Sequence, residues 1–345
     1  MVPEFGFGSG SSVSYAKDAQ MACLIAQWNS FISSSLMSYE LFRTPVDPSR
    51  KPLISQEKSL ISLGSCFADG IGLRLKDAGF AILANPFGTL FHPFPLFDML
   101  DPDMTLGSSG YLDIQGKAHH YRLPKTFYAQ SKDELEGEFK KRHSALHQSL
   151  AHNSVLFLTL GTSHLYTKDG VWVANCHQQP AALFQKEMSS LEAMTEVWEK
   201  LFPKLPATLQ IIVTVSPVRH LKDGLVENSL AKSLLRVLAH TMVSRAPERF
   251  HYFPAYEILL DELRDYRYYA SDMLHPSEVA LDYIWKRFQE SLLTDSARDQ
   301  IKRWDKLKGR LNHRPIHPDS AETARFHERL QRDLKAFYEA PQPQP

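Results

Sequence analysis

The sequence has few cysteines, no long apolar run and no excess of charge of either sign. Its three cysteines, Cys23, Cys66 and Cys176, are too few for a disulfide framework, and their spacing matches no zinc-binding pattern. No apolar stretch approaches the roughly 18 residues that a transmembrane helix needs. Lysine plus arginine equals aspartate plus glutamate at 39 each, so the basic surplus typical of nucleic-acid-binding proteins is missing. We therefore expect neither a nucleic-acid partner nor a membrane partner.

The composition predicts a globular protein with an atypical N-terminal segment. The 345 residues are enough for one large domain or two small ones. Contents of 43% apolar and 23% charged residues are ordinary for a globular protein. Residues 1–36 begin with a Gly/Ser-rich stretch and lack the basic start and long apolar core of a signal peptide. We predict that 1–36 are disordered or a non-native extension, and that 295–345 are a charged helical tail. The predicted location is cytoplasmic, or periplasmic or secreted if 1–36 are a divergent export signal.

The segment Ile61–Gly70 organises the chain. Its apolar run stops at Gly64, and a helical pattern then extends from Cys66 to Gly79, which predicts a strand, a tight turn and a helix. Ser65 would then be exposed at the carboxyl end of a strand, beside the free N–H groups of a helix start. That position suits a nucleophile whose reaction builds an oxyanion. A Gly-Ser turn before a helix also occurs as a plain N-cap.

Further apolar runs predict a parallel β-sheet. Residues 80–84 complete a strand–helix–strand unit, and residues 155–160 and 209–215 are continuous apolar runs typical of strands covered on both faces. These runs end in polar clusters that contain Asn85, Ser163 and His220. Because ligands bind beyond the carboxyl ends of the strands in an open α/β sheet, these clusters are predicted to converge in space.

The remaining segments are assigned from periodicity. Residues 89–130 lack a helical pattern and are predicted to be an insertion with a hairpin at Gln115-Gly116, and a second hairpin is predicted around 168–170. Two long helices are predicted, over 228–244 and after Pro276. Their expected buried residues are Leu230, Leu234, Leu238 and Met242 in the first helix and Val279, Tyr283, Phe288 and Leu292 in the second.

Asp272 and His275 form the second chemical feature. They stand three residues apart in a loop before a helix, where the carboxylate can hold the Nδ1–H of the imidazole. The Nε2 atom is then left to take a proton from a nucleophile. Pro276 fixes the chain directly after the histidine. An Asp-x-x-His string is common in surface loops, but together with a strand-end serine it indicates nucleophilic catalysis.

At this point the chain resembles the GSCFA family, a branch of the SGNH/GDSL hydrolases. The matching strings, in order over about residues 50–293, are Gly64–Ala68, Asn85–Gly88, Leu160–Thr162, Ala174–His177, Ser216–His220, Phe253–Glu257 and Asp272–Ser277. The resemblance implies a three-layer α/β/α, flavodoxin-like domain over 37–294, with a mainly parallel sheet. It implies a cofactor-free serine esterase with Ser65 as nucleophile, His275 as base and Asp272 as the orienting acid. Such enzymes form an acyl-enzyme, and many remove acetyl groups from carbohydrates.

Two departures from the superfamily pattern leave alternatives open. Strict alignment of the Gly-Asp-Ser block with Gly64-Ser65-Cys66 makes Cys66 a rival nucleophile, and a helix N-terminus lowers the pKa of a cysteine. The Gly-x-Asn-Asp block begins here with Gly161, and Ser163 replaces the Asn that supports the oxyanion hole. Asn85 and Asn175 are candidate replacements for that amide donor.

Several other residues and activities complete the set of candidates. His177 would bind substrate or the oxyanion, or be a plain loop histidine, and Arg219 and His220 would bind a substrate carboxylate or sugar hydroxyls. His143 and His147 share a helix face without acidic ligands, so no metal is predicted. The same motifs also fit an acyltransferase to a sugar hydroxyl or, given the missing Asn, a non-catalytic carbohydrate-binding domain.

Overall fold

A computed structural model describes residues 44–151, 153–313, 315 and 320–339. Its strands are β1 (Ser59–Gly64), β2 (Ile82–Ala84), β3 (Tyr111–Ile114), β4 (Lys117–His120), β5 (Ser154–Leu160), β6 (His164–Lys168), β7 (Val171–Val173), β8 (Gln185–Met188), β9 (Gln210–Val215) and β10 (Phe250–Tyr252). Its long helices are α1 (Cys66–Asp77), α2 (Pro93–Leu100), α3 (Lys132–Ala151), α4 (Leu191–Leu201), α5 (Gly224–Arg245), α6 (Glu278–Leu292), α7 (Asp295–Leu311) and α8 (Ala321–Glu339). The extension predicted over residues 1–36 lies outside the described residues.

Five strands form one parallel sheet in the order β10-β9-β5-β1-β2. This is the flavodoxin-like order, in which the first strand pairs with both the second and the third of the sheet. The strand order reverses between β1 and β5, because β2 lies on one side of β1 and all later strands of the sheet lie on the other, so the crevice beyond the carboxyl ends of β1 and β5 is the expected ligand site. The sheet confirms the predicted fold class and places the β1–α1 turn at that crevice.

Helices cover both faces of the sheet and give three layers. On one face, α2 to α5 pack on side chains such as Leu156 and Leu158 of β5. On the other face, α1, α6 and α7 pack on Val155 and Phe157 of the same strand. Because successive strand residues point to opposite faces, a strand covered on both sides reads as one continuous apolar run. All seven residues of β5 are buried, as that pattern predicts.

Three predictions about helices are wrong in detail. Helix α2 lies within 89–130, where none was expected, because Pro93 occupies its first turn and the His92 ring caps it by accepting the Phe94 N–H. In α5 the predicted inward residue Leu230 is 49% exposed. The buried face instead comprises Asn228, Ala231, Lys232, Leu235, Leu238, Ala239 and Met242. In α6, Val279 is likewise exposed at 68%, and Ala280 and Ile284 are buried.

Smaller elements surround the three layers. The two predicted hairpins are present as β3–β4 and β6–β7, and β8 extends the second hairpin to a three-stranded sheet. After β10 the chain forms a short helix, Ala255–Glu257, that continues as a π-helix, Ile258–Leu263. In the tail, α7 and α8 pack through Leu307, Leu330 and Phe337. Among the described residues, no helix is long and apolar enough to cross a membrane.

Candidate active site

The turn between β1 and α1 is built on Gly64. Its φ of +143° is unfavourable for other residues, and a Cβ there would lie 2.3 Å from the Thr159 carbonyl oxygen of β5. The Gly64 N–H donates to Asn85 Oδ1 at 2.8 Å, and Asn85 Nδ2 donates to Asp69 Oδ1 at 2.7 Å. Asn85 therefore holds the turn in place, and its amide already has two partners.

Ser65 lies at the end of β1, as predicted, but its side chain is not exposed. The residue is 1% accessible, and its hydroxyl donates to Ser216 Oγ at 3.0 Å. The same oxygen accepts the Phe67 N–H at 3.3 Å, which makes Ser65 the N-cap of α1. The expectation of an exposed serine is wrong because Ser216, the residue after β9, contacts the Ser65 hydroxyl and helps to bury it.

Cys66 is the first residue of α1; the residue is partly exposed, and its side chain packs against the apolar cluster shared by α1, α6 and α7. Burial raises the pKa of the thiol, and the nearby Asp69 carboxylate raises it further. The backbone N–H groups of Cys66 and Phe67 and the charge of Lys232 lower that pKa. A thiolate at this sulfur would therefore meet the helix N-terminus on one side, although the free thiol needs a base to ionise.

Lys232 joins the ends of two strands and was missed by the sequence analysis. Its Nζ donates to the carbonyl oxygen of Gly161 after β5 at 2.6 Å and to that of Ser216 after β9 at 2.7 Å. The side chain is 1% exposed, and burial lowers its pKa to about 7. A lysine between Ala231 and Leu235 on the buried face of α5 was the available signal, which the wrong helix phase hid.

The predicted pairing of Asp272 and His275 is present. Asp272 Oδ2 lies 2.7 Å from His275 Nδ1, and Asp272 Oδ1 accepts the N–H groups of Leu274 and His275 at 2.9 and 3.0 Å. These bonds, that to the His275 ring first, lower the pKa of Asp272 to about 2. Since an ionised carboxylate only accepts hydrogen bonds, Nδ1 carries the proton of the neutral imidazole and Nε2 is the free acceptor. The imidazole is half-exposed, so solvent reaches it.

The loop after β9 connects this pair to the sheet. The Arg219 N–H donates to the Leu274 carbonyl at 3.0 Å, inside the Asp272–His275 loop. The charges of His220 and His275 are close enough to interact, and the same holds for His220 and Lys232. The β1–α1 turn and the Asp272–His275 loop thus both contact the segment that follows β9, as the convergence of strand ends predicts.

The order and spacing of these elements agree with a known family. The sequence model of the GSCFA family matches residues 59–288, from the start of β1 into α6. The chain belongs to the GSCFA family. No curated protein matches the chain. The matched range of this GSCFA protein contains the β1–α1 turn, both strand ends bound by Lys232 and the Asp272–His275 loop.

Other predicted residues of the GSCFA protein fall into two groups. Ser163 and His220 lie beyond β5 and β9; among the described residues, the Ser163 hydroxyl and His220 Nε2 are buried without a hydrogen-bond partner. Burial, followed by the charge of Lys232, lowers the pKa of His220 to about 4. His177 forms the second group, because its Nε2 contacts the loop around β4 instead of the strand ends. It lies 3.0 and 3.1 Å from the carbonyl oxygens of His120 and Leu123.

Two predicted ligands have roles in local structure. Asn175 Oδ1 accepts the His177 N–H at 2.7 Å and so stabilises the loop after β7. The Arg219 guanidinium lies 3.7 Å from the ring centroid of Tyr269, which orients it beside the Asp272–His275 loop. Over the described ranges, no group of three or more His, Cys, Asp or Glu side chains is arranged to hold a metal ion.

Proposed function

We propose that this GSCFA protein hydrolyses carboxylic esters, with acetyl or short acyl groups on a carbohydrate or cell-wall glycan as substrates, through an acyl-enzyme. The observation that carries the proposal is the oriented Asp272–His275 pair, whose loop is bonded to the segment after β9 that also contacts the β1–α1 turn. An imidazole held at Nδ1 with Nε2 free is the arrangement of a general base in acyl transfer. The motif order of the SGNH/GDSL hydrolases supports the same chemistry.

The β1–α1 turn offers two nucleophiles, and the geometry favours the sulfur. Cys66 is partly exposed at the helix start, whereas Ser65 is buried and bonded to Ser216 and the Phe67 N–H. Ser65 would need to give up both bonds and move outward before attacking a substrate. Cys66 needs no such movement. It does need a base, because burial and Asp69 raise the pKa of its thiol. The Ser65-His275-Asp272 triad remains the alternative form of the proposal.

The reaction then takes two steps. His275 Nε2 accepts the thiol proton as sulfur attacks the ester carbonyl carbon, and the oxyanion forms beside the start of α1, where the Cys66 N–H is its donor because the Phe67 and Ala68 N–H groups are bonded to Ser65. The imidazolium gives its proton to the leaving alcohol, which leaves a thioester on Cys66. Water then attacks the thioester with His275 again as the base, and the acid departs. Each N–H donor to such an oxyanion contributes about 3–4 kcal/mol.

A cavity that contains Arg219, whose N–H donates to the Leu274 carbonyl of the Asp272–His275 loop, is the candidate site for the sugar part of the substrate; neither His275 nor Cys66 lines it. Its volume is about 350 Å³, and its lining includes Arg219, Arg264, Tyr266 and Tyr269. The two tyrosine rings hold the Arg219 guanidinium at 5.5 and 3.7 Å from their centroids. A fixed guanidinium presents several N–H donors, which suits the hydroxyl or carboxylate groups of a sugar.

Trapping the acyl-enzyme tests the proposal. We expect p-nitrophenyl acetate to leave one acetyl group on the protein after acid quench, and fragmentation to place it on Cys66. Hydroxylamine at neutral pH should remove the acetyl group if it is held as a thioester. Cys66→Ala should abolish both the adduct and the turnover of the ester. Cys176→Ala is the matched control, since Cys176 is also a partly exposed free thiol. An adduct on Ser65 would select the serine form.

Two outcomes would replace hydrolysis with another function. Consumption of ester that rises with an added saccharide, with acylated saccharide as product, would identify an acyltransferase. A carbohydrate-binding role has one observation in favour, because Ser163 replaces the expected Asn and the Asn85 amide is already bonded to Asp69. Glycan binding without any acyl adduct would identify that role and overturn the esterase.

A further inference from the structure

Lys232 is a buried charged group for which the proposed reaction has no step. Its side chain is 1% exposed, and lysines are almost never buried so fully without a paired charge. Its two hydrogen-bond acceptors are neutral carbonyls, at 2.6 Å from Gly161 and 2.7 Å from Ser216. Replacing such a lysine with an apolar residue would remove the desolvation cost, so the charge itself is not expected to stabilise the fold.

The network around Lys232 leads to the proposed nucleophile. Ser216 accepts Lys232 Nζ with its carbonyl oxygen and the Ser65 hydroxyl with its side chain. Ser65 directly precedes Cys66, and the charges of Cys66 and Lys232 are close enough to interact. Lys232 is therefore linked to the β1–α1 turn through Ser216, and it joins the ends of β5 and β9, the two strands next to β1 on one side of the switch point.

The ionisable groups near Cys66 and Lys232 come from three elements. Asp69 from α1 acts on the sulfur of Cys66 and opposes a thiolate, whereas Lys232 from α5 favours it. His220, from the loop after β9, faces Lys232, and its pKa of about 4 leaves it neutral near pH 7. Of the groups whose charges act on Cys66, Lys232 is thus the one that favours an anion at the sulfur.

We propose that Lys232 is a positioning residue that fixes the ends of β5 and β9 side by side and supplies the positive charge that stabilises an anion at Cys66. The catalytic consequence of this arrangement rests on the proposed function. Thiolate formation at Cys66 does not, and it can be measured without any substrate. When Lys232 is protonated, the sulfur loses its proton more readily, and the same charge stabilises negative charge that develops there during attack.

The reactivity of Cys66 towards a dithiodipyridine reagent between pH 5 and 9 tests the proposal, with peptide mapping to separate the three thiols. Lys232→Gln removes the charge and keeps N–H donors, and Lys232→Arg keeps the charge. We expect Lys232→Gln to slow the reaction of Cys66 about tenfold near pH 6, which equals one unit of thiol pKa. Lys232→Arg should recover most of the rate. Cys176 is the internal control, because the charge that acts on it comes from Lys222.

The outcomes separate the charge from a structural role. If Lys232→Gln and Lys232→Arg slow Cys66 equally, while circular dichroism shows both folded, the charge has no role and the proposal is overturned. If Lys232→Gln does not fold, the wild-type profile decides. Cys66 must then show an inflection near pH 7 that Cys176 lacks, because Lys232 loses its proton there. A shared profile for both thiols would overturn the proposal. Loss of the acyl-enzyme result alone would overturn the esterase and leave this measurement unaffected.

Discussion

At the scale of single residues, one carboxylate orients the imidazole and its own loop at once. Asp272 bonds the His275 ring through Oδ2 and two backbone N–H groups through Oδ1. With a pKa near 2, it is ionised at every pH at which an esterase is normally assayed. The two oxygens have separate functions, so a single substitution can remove one and keep the other.

We expect Asp272→Asn to keep the loop and lose the orientation of the imidazole. Asparagine retains an Oδ1 acceptor for the two N–H groups, but its amide donates to Nδ1 and favours the tautomer with the proton on Nε2. Ester turnover should therefore fall about 10²-fold or more in kcat, the range of a lost general base, with a smaller change in KM. Steady-state kinetics with p-nitrophenyl acetate measure both constants.

Asp113→Asn is the matched control for this substitution. Asp113 is also exposed, and its Oδ1 accepts a backbone N–H three residues ahead, from Gly116 at 3.0 Å in the β3–β4 hairpin. It is not among the residues that line the cavity beside Arg219. We expect its kinetics to match the wild type. Equal activity of Asp272→Asn and Asp113→Asn would show that the Asp272–His275 pair serves only to hold its turn.

At the scale of secondary structure elements, two helices begin with the same kind of cap. Ser65 caps α1 by accepting the Phe67 N–H, and Ser277 caps α6 by accepting the Ala280 N–H. They differ because Ser65 also donates to the buried Ser216 hydroxyl. The comparison isolates what the connection to β9 adds to an ordinary helix start.

Ser65→Ala should therefore destabilise the protein more than Ser277→Ala. Loss of a serine cap costs about 1 kcal/mol, and loss of a buried hydrogen bond costs about 1 kcal/mol more. We expect the free energy of unfolding to fall by about 2 kcal/mol for Ser65→Ala and about 1 kcal/mol for Ser277→Ala. Urea unfolding of the two variants measures the difference. Equal losses would mean that the bond to Ser216 adds no stability.

At the scale of the whole molecule, burial of Lys232 couples folding to pH. Its pKa is about 7 in the folded chain and about 10.4 in an unfolded one. Between these values the unfolded chain binds more protons, so stability rises with pH across that window. The penalty for burying the charge is complete below pH 7 and decreases as the pH rises towards 10.

Comparison of the wild type with Lys232→Met measures this coupling. Groups that do not interact with Lys232 cancel in the difference between their free energies of unfolding. We expect that difference to shift in favour of the wild type by up to about 1.4 kcal/mol per pH unit above pH 7. Denaturant unfolding at pH 7, 8 and 9 provides the values. A difference that does not change with pH would show that the folded protein keeps Lys232 at its ordinary pKa.

Local patterns were sufficient for much of the fold and for part of the site. The strands β1, β5 and β9, the start of α1 at Cys66 and the Asp272–His275 pairing all follow from residues near one another in sequence. Helix faces were less certain, because the apolar residues of α5 fit more than one phase. Leu230 fitted the pattern but is exposed, and Lys232 did not fit but is buried.

The sequence by itself determined that the domain is α/β with a parallel sheet, where the β1–α1 turn lies and that Asp272 pairs with His275. Only the tertiary structure decided that Ser65 is covered, that Cys66 is partly exposed and that Lys232 joins β5 to β9. The physical reason is the sequence separation between the residues that contact one another. Burial and the partners of a polar group depend on residues more than seventy positions away, such as Gly161 for Lys232 and Ser216 for Ser65, and no local pattern contains them.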